Sequence, residues 1–445
     1  MLDTVKIITT KRNGETLSDE SLAALIEAYT CGQVPDYQMS AFLMAAFLRG
    51  MDARETTTLT GCMLRSGKVL DFGGASGRTV DKHSTGGVGD KISLSLAPIA
   101  AACGVRVPMI AGRALGHTGG TVDKLESIPG YSTRVSPNQL HRQLDELGVF
   151  MIGQTDEIAP ADRLLYALRD VTATVDFVPF ITASIMSKKL AEGLNGLVLD
   201  VKSGRGAFMQ TEREARHLAE MLVSVGTRFG TPTVAWLTDM NVPLGRTVGN
   251  WLEVEESIAC LCGQGPEDVM SLTLQLCGEM LVLADLADSP DSGVQLARNA
   301  VESGRALDIF ATLVAAQGGD TSVIENPSRR QRTCLPQVVR APEMADRFVT
   351  DLDARILGIA ATEMGVGRTV KEDLVDPEAG IVLHRKPGDA VQPDEPLASF
   401  YTRKTGLSAQ FEQAILSAYS FGNQAPPSRS VLIDRFTDTG WSNAA

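Results

Sequence analysis

The sequence predicts an α/β protein that begins with helices and ends in a C-terminal α+β lobe. Three observations lead there. From Leu197 the chain alternates strand-like and helical segments, GLVLDVKSG, TEREARHLAEMLVSVG and TPTVAWLTDM, followed by a long helical stretch to about Gly318; such alternation specifies a sheet with a parallel component. Two glycine-rich loops, DKHSTGGVGDK (Asp81 to Lys91) and AGRALGHTGGTVDKLE (Ala111 to Glu126), sit where strand ends meet helix starts. Beyond Asn326 the texture changes to strand-like QVVRAP, helical LDARILGIAATEMG and glycine- and proline-punctuated strands through GIVLHRKPGDAVQPDEPLASFYTR.

The two loops organise the chain. Between them Ile92, Leu96, Ile99, Ala100 and Cys103 recur at helical spacing, with Asp90 placed to cap the start and Gly104 the end. Pro98 argues against an unbroken helix. Val105 to Ile110 is short, apolar and β-branched, as a buried strand requires. Free backbone N–H groups and the helix dipole at such junctions favour an anion. Lys82, His83 and Lys91 add positive or protonatable charge, and Ser84, Thr85, Ser93, Thr118 and Thr121 add hydroxyls. A phosphate cradle is the simplest joint reading; tight βα turns with incidental polar residues are the plain one. Neither loop matches the nucleotide-binding glycine fingerprints.

The other elements follow in order. Ser18 and Asp19 cap a helix through SLAALIEAYTCG, and Pro35 with Asp36 opens another through MSAFLMAAFLRG, whose broad apolar face suits bundle core or a dimer surface. Asp71 to Gly77 reads as a flexible joint. Pro137 to Leu147 is helical, Val149 to Gly153 a strand, and Pro160 to Arg169 helical again. Pro179 can open a helix through PFITASIMSKKLAEG that stops at Gly193. On it Ser184 and Lys188 share a face while Lys189 points elsewhere. The polar tail after Gly422 reads as loosely held.

Composition narrows the function. The net charge of -13 over 445 residues argues against nucleic acid or an acidic membrane as partner, so any anion site must be local. Seven scattered cysteines, with Cys260 and Cys262 lacking a second pair at zinc spacing, read as free thiols in a reducing compartment. No signal-peptide core or transmembrane-length apolar run is present, which points to the cytosol.

Taken together, KHSTGGVGD, AGRALGHTGGTVDKLESIPG, LRDVTATVDFVPFITASIMSKKLAEG and LTDMNVPLGRTVGNWLEVEE closely resemble the thymidine and pyrimidine-nucleoside phosphorylases. The likeness continues through VGRTVKEDLVD and KPGDAVQPDEPLA and so spans nearly the whole chain. The resemblance implies cleavage of pyrimidine nucleosides by inorganic phosphate to free base and pentose 1-phosphate, without a cofactor or catalytic metal. It implies a small discontinuous all-helical domain (residues 1–66 and 161–192) that binds the base and pairs two copies into a homodimer. A hinge (67–80) would join it to a large α/β domain with a mixed sheet (81–160 and 193–335), which binds phosphate. The C-terminal α+β lobe would cover 336–445. Closure would bring phosphate to the sugar.

Phosphorolysis needs a held phosphate, positive charge or a proton at the base oxygens, and exclusion of water. By the resemblance Lys82, Ser84, Ser93 and Thr121 hold phosphate, while Arg169, Ser184 and Lys188 grip the pyrimidine edge. His83 is the candidate for proton donation or hydrogen bonding at the 2-oxo group, because an imidazole titrates near neutrality. Leu115, Tyr166, Ile185 and Phe208 would line the pocket, although plain core packing accounts for these four almost as well. His117 reads as a turn histidine bonded to backbone.

Three departures stand out. Where the family has Ser-Gly-Arg-Gly this chain has Ala111, Gly112, Arg113 and Ala114, losing one phosphate-binding hydroxyl worth on the order of 1 kcal/mol. Arg205 replaces a small residue and could approach an anion; Arg205→Ser would then raise the Michaelis constant for phosphate. Some relatives bind potassium with a Thr at the position of Lys91 and with positions matching Gly89, Leu244, Thr247 and Glu256. The Lys91 ammonium could take the ion's place against Glu256. Competing readings are a phosphoribosyltransferase and a non-catalytic homologue that binds nucleoside or phosphate. DKISL and LGRTVG look somewhat more like the thymidine-selective members.

Overall fold

The computed structural model describes residues 2–73, 78–114, 116–343, 347–368 and 373–442. Four helices, α1 (Thr4–Arg12), α2 (Asp19–Thr30), α3 (Asp36–Arg49) and α4 (Ala53–Arg65), open the chain. Asp3, Ser18 and Asp52 cap α1, α2 and α4 through their side chains, and Glu55 completes a capping box on α4. Their core, including Leu22, Leu25, Phe42 and Leu59, also takes in Ala161, Leu165, Phe180 and Ala183 from far along the chain.

Next come β1 (Val80–Ser84), α5 (Ile92–Ala102), β2 (Val107–Ala111), α6 (Thr121–Leu125), α7 (Pro137–Glu146), β3 (Val149–Gly153), α8 (Pro160–Asp170), α9 (Val178–Ala191), β4 (Gly196–Ser203) and β5 (Thr233–Asp239). The main sheet places β1 parallel to β4 and β4 parallel to β5; β2 and β3 form a separate parallel pair. α5 runs unbroken through Pro98. Its residues from Leu94 to Ala100 are all buried, and that burial outweighs the roughly 3 kcal/mol cost of an interior proline. The helix starts at Lys91, with Asp90 Oδ1 only a long 3.4 Å from the Ile92 N–H.

The C-terminal α+β lobe has two antiparallel sheets and the helices Ala354–Met364 and Ser408–Ser417. It does not pack alone. Thr247–Gly249 pairs with Gly380–Leu383, and one continuous core runs from Val80 and Ile92 to Phe400 and Phe411. The tail is not loosely held: Leu432–Thr437 pairs antiparallel with β5 and makes the main sheet mixed. Arg435 fixes it, donating to Glu279 at 2.6 and 2.9 Å. Of the expected joint at Asp71 to Gly77, residues 74–77 lie outside the described set. The seven cysteines are free thiols. Among the described residues no helix is long and apolar enough to cross a membrane.

Candidate active site

β1 delivers the first glycine loop at its C-terminal end, where parallel sheets present ligand sites. Strand alternation puts Lys82 and Ser84 on one face and Asp81 and His83 on the other. Ser84 Oγ donates to Asp90 Oδ2 at 2.5 Å and accepts the Gly86 N–H, closing a tight turn. Gly86 and Gly89 have φ of +95° and +72°, and a Cβ on Gly89 would stand 2.4 Å from the Leu244 carbonyl oxygen. Glycine is required there on both counts. Lys82 is fully buried, its Nζ lying 3.6 Å from Asp200 Oδ2 without a hydrogen-bond partner among the described residues.

The second loop is bound to the first. Gly119 N–H donates to the Gly87 carbonyl at 3.4 Å, and Lys124 Nζ donates to the Asp90 carbonyl at 2.6 Å while pairing with Glu253 at 2.7 Å. Asp123 shapes the loop, accepting from Ala114 N–H and pairing with Arg113 and Arg368. Ser93 lies in the first turn of α5 and Thr121 opens α6, both half-buried. Ala111 ends β2. Leu115 lies outside the described residues.

A second constellation lies between α8 and α9. Lys188 Nζ donates to Ser184 Oγ at 2.8 Å and to Asp162 Oδ2 at 2.5 Å. The Ser184 contact follows from helical spacing. Asp162 was missed because a lone acid in a first turn looks like dipole decoration; its other oxygen is buried without a partner among the described residues. Arg169 is 1% exposed and differs from expectation. Its guanidinium donates to the carbonyls of Thr174, Phe180 and Val175, with the rings of Tyr166 and Phe180 at 5.5 and 5.3 Å. In this conformation it anchors the turn between α8 and α9, and a direct grip on a base would require it to leave those carbonyls. Burial lowers its pKa and pushes the half-buried Tyr166 phenol up to about 12. Ile185 is buried beside Ser184.

His83 links the two sets. Burial pushes its pKa well below the usual imidazole value, and the ammonium groups of Lys189, Lys188 and Lys82 push it the same way. The imidazole is thereby biased toward its neutral form, in which it can donate an N–H hydrogen bond, one of the two roles expected of it. Lys189 is a further residue that sequence reasoning left aside. Its Nζ binds Asp81 at 2.6 Å, Glu192 at 2.6 Å and the Ile110 carbonyl at 3.0 Å, tying α9 to β1 and β2.

The remaining candidates divide. Phe208 packs over the first loop, its Cε2 lying 3.6 Å from where a Cβ on Gly86 would be, and meets the His117 ring at 5.8 Å. His117 Nε2 contacts the Gly206 carbonyl, as a turn histidine should. Arg205 does not face the cradle as an anion ligand: it pairs with Asp351 at 2.8 Å and Asp353 at 3.3 Å in the C-terminal lobe. Lys91 Nζ is buried among Glu256 at 2.7 Å and the carbonyls of Leu244 and Thr247. Among the described residues no group of three or more His, Cys, Asp or Glu is arranged to hold a metal ion.

Comparison with known proteins agrees with this architecture. Residues 5–67 match the glycosyl transferase family helical bundle domain, 76–307 the glycosyl transferase family a/b domain, and 348–422 the pyrimidine nucleoside phosphorylase C-terminal domain. The chain is 45% identical over 403 residues to a pyrimidine-nucleoside phosphorylase of Geobacillus stearothermophilus, covering 90% of this chain and 92% of the relative. It is 46% identical over 435 residues to a thymidine phosphorylase of Mycobacterium tuberculosis, covering 97% and 98%. A solved anthranilate phosphoribosyltransferase from Thermus thermophilus shares the fold, with TM-score 0.58 and 19% identity over 70% of this chain and 99% of that one. The chain belongs to the thymidine and pyrimidine-nucleoside phosphorylase family.

Proposed function

We propose that this protein catalyses the reversible phosphorolysis of pyrimidine nucleosides, thymidine and 2'-deoxyuridine foremost and uridine as a further substrate, with inorganic phosphate as co-substrate. A single observation carries the reading. The buried Lys82 ammonium has no hydrogen-bond partner among the described residues, and it stands on the strand that carries His83 and leads into the first of two glycine loops that are hydrogen-bonded to each other.

A phosphate oxygen attacks C1' as the C–N bond breaks, and the bond's electrons pass to the pyrimidine. Lys82, Ser84, Ser93 and Thr121 hold the phosphate. Lys188, with Ser184, meets the base edge and stabilises its developing negative charge, which a low-dielectric site strengthens. Asp162 holds Lys188 in place. Neutral His83 donates its N–H to the 2-oxo group. Arg169 contributes positive charge from behind the turn, and Tyr166, Ile185 and Phe208 exclude water around base and sugar. The helical layer would be the surface that pairs two copies into a homodimer, as the resemblance implies. The cytosol remains the expected compartment.

The test is base release from thymidine, 2'-deoxyuridine and uridine by purified protein with and without inorganic phosphate, and, in a separate arm, consumption of free thymine or uracil with phosphoribosyl pyrophosphate. Release only with phosphate is expected. Turnover only with the phosphoribosyl donor would replace the proposal by the transferase reading, and no turnover in any arm by the non-catalytic one.

A further inference from the structure

Two lysines, Lys82 and Lys202, and two aspartates, Asp90 and Asp200, cluster at the first glycine loop, and their pairing is uneven. Lys82, Asp200 and Lys202 share one face of the sheet: Lys82 is registered opposite Val198, and Asp200 and Lys202 follow at alternate positions along β4. Asp200 is fully buried and both its oxygens are engaged. Oδ2 accepts from Lys202 Nζ at 2.8 Å, and Oδ1 accepts from Thr238 Oγ1 at 2.6 Å. Lys82 Nζ stands off at 3.6 Å. Lys202 also reaches Asp90, the carboxylate that orients Ser84, at 3.8 Å. Its stem fills the space beneath Gly87, where an added Cβ would meet Lys202 Cδ at 2.7 Å. The Lys202 N–H donates to Thr85 Oγ1.

Without Lys202, Asp200 would be a buried carboxylate whose nearest cation is Lys82. The two would close to hydrogen-bond distance, because an unpaired buried charge is strongly unfavourable. We infer that Lys202 is a positioning residue for phosphate: by occupying Asp200 it keeps the Lys82 ammonium free to donate to the co-substrate, and it braces Asp90 beneath Ser84. The inference rests on the phosphorolysis reading. It adds a residue that does not itself touch substrate.

The test compares Lys202→Met, Asp200→Asn and the double variant with the wild type, measuring Michaelis constants for phosphate and nucleoside separately and direct binding of inorganic phosphate. Lys202→Met should raise the Michaelis constant and the dissociation constant for phosphate by about ten- to a hundredfold, the worth of one charge-assisted hydrogen bond. The constant for nucleoside should change by less than about threefold, within the spread of context effects. Adding Asp200→Asn should restore most of the phosphate affinity, since the competing carboxylate is gone. Equal losses toward both substrates, unchanged phosphate binding, or a double variant no better than the single would overturn the inference. If Lys202→Met alone does not fold, the uncharged double variant decides: near wild-type phosphate affinity supports the inference and a large loss overturns it. A wild type without phosphate-dependent base release would instead defeat the phosphorolysis reading, which these variants do not address.

Discussion

Lys91 Nζ lies 2.7 Å from Glu256 Oε2, and both side chains are almost wholly buried. Burial works to lower the lysine's pKa, but Glu256, Glu253 and Asp268 outweigh it and the net shift is upward. The ammonium is thus firmly charged and donates to the Leu244 and Thr247 carbonyls as well. A monovalent cation at this place would meet the same three oxygens. Activity should therefore be equal in sodium-exchanged and potassium buffers. Lys91→Thr should lose about 3 kcal/mol of stability and recover part of it, with activity, on adding potassium. Potassium-dependent wild-type activity would refute the substitution of ion by ammonium.

His83 makes a separate prediction about pH. Its folded pKa is depressed, so the unfolded chain takes up the proton first as pH falls. Its contribution to stability is fully present above the ordinary imidazole value of about 6.5 and declines below it, by at most about 1.4 kcal/mol per pH unit. Chemical denaturation between pH 7.5 and 5 should show a shallower slope for His83→Gln than for the wild type. The acid limb of kcat/KM should lie well below the ordinary imidazole range.

Around Lys189, Asp81 and Glu192 compete for one ammonium. Burial raises the Glu192 pKa well above the carboxylate range; the nearby Asp81 charge adds to this, and Lys189 only partly opposes it. Glu192 is thereby biased toward its neutral form compared with an ordinary carboxylate, and Glu192→Gln should change stability by no more than about 1 kcal/mol. Asp81→Asn removes the anion Lys189 needs and should cost about 3 to 5 kcal/mol. Equal losses in denaturant melts of the two variants would show that Glu192 carries the charge.

Ala111 ends β2, at the position where the resemblance implies a serine that contacts phosphate. Ala111→Ser should lower the Michaelis constant for phosphate about fivefold, from roughly 1 kcal/mol for one added hydrogen bond, with the nucleoside constant unchanged. No change, in steady-state kinetics at fixed nucleoside, would mean that the hydroxyl cannot reach the anion.

What the sequence determined by itself was local. Glycines at Gly86 and Gly89 are demanded by backbone dihedrals and close approach. Ser184 and Lys188 meet because four residues make one helical turn, and strand and helix periodicities give the alternation from Leu197. Such features depend on neighbours in the chain, which a reader of the sequence can see. Charge partnership does not. Whether Lys189 meets Asp81, Arg205 meets Asp351, or Lys202 rather than Lys82 holds Asp200 depends on which groups burial leaves within reach. Two of these pairs span more than a hundred residues. The polar tail shows the same limit: Leu432–Thr437 becomes a strand because β5 offers it an open edge and Glu279 accepts from Arg435. Tertiary packing chose these partners, since an isolated buried charge or an unpaired strand edge is costly only once the surrounding chain has excluded water.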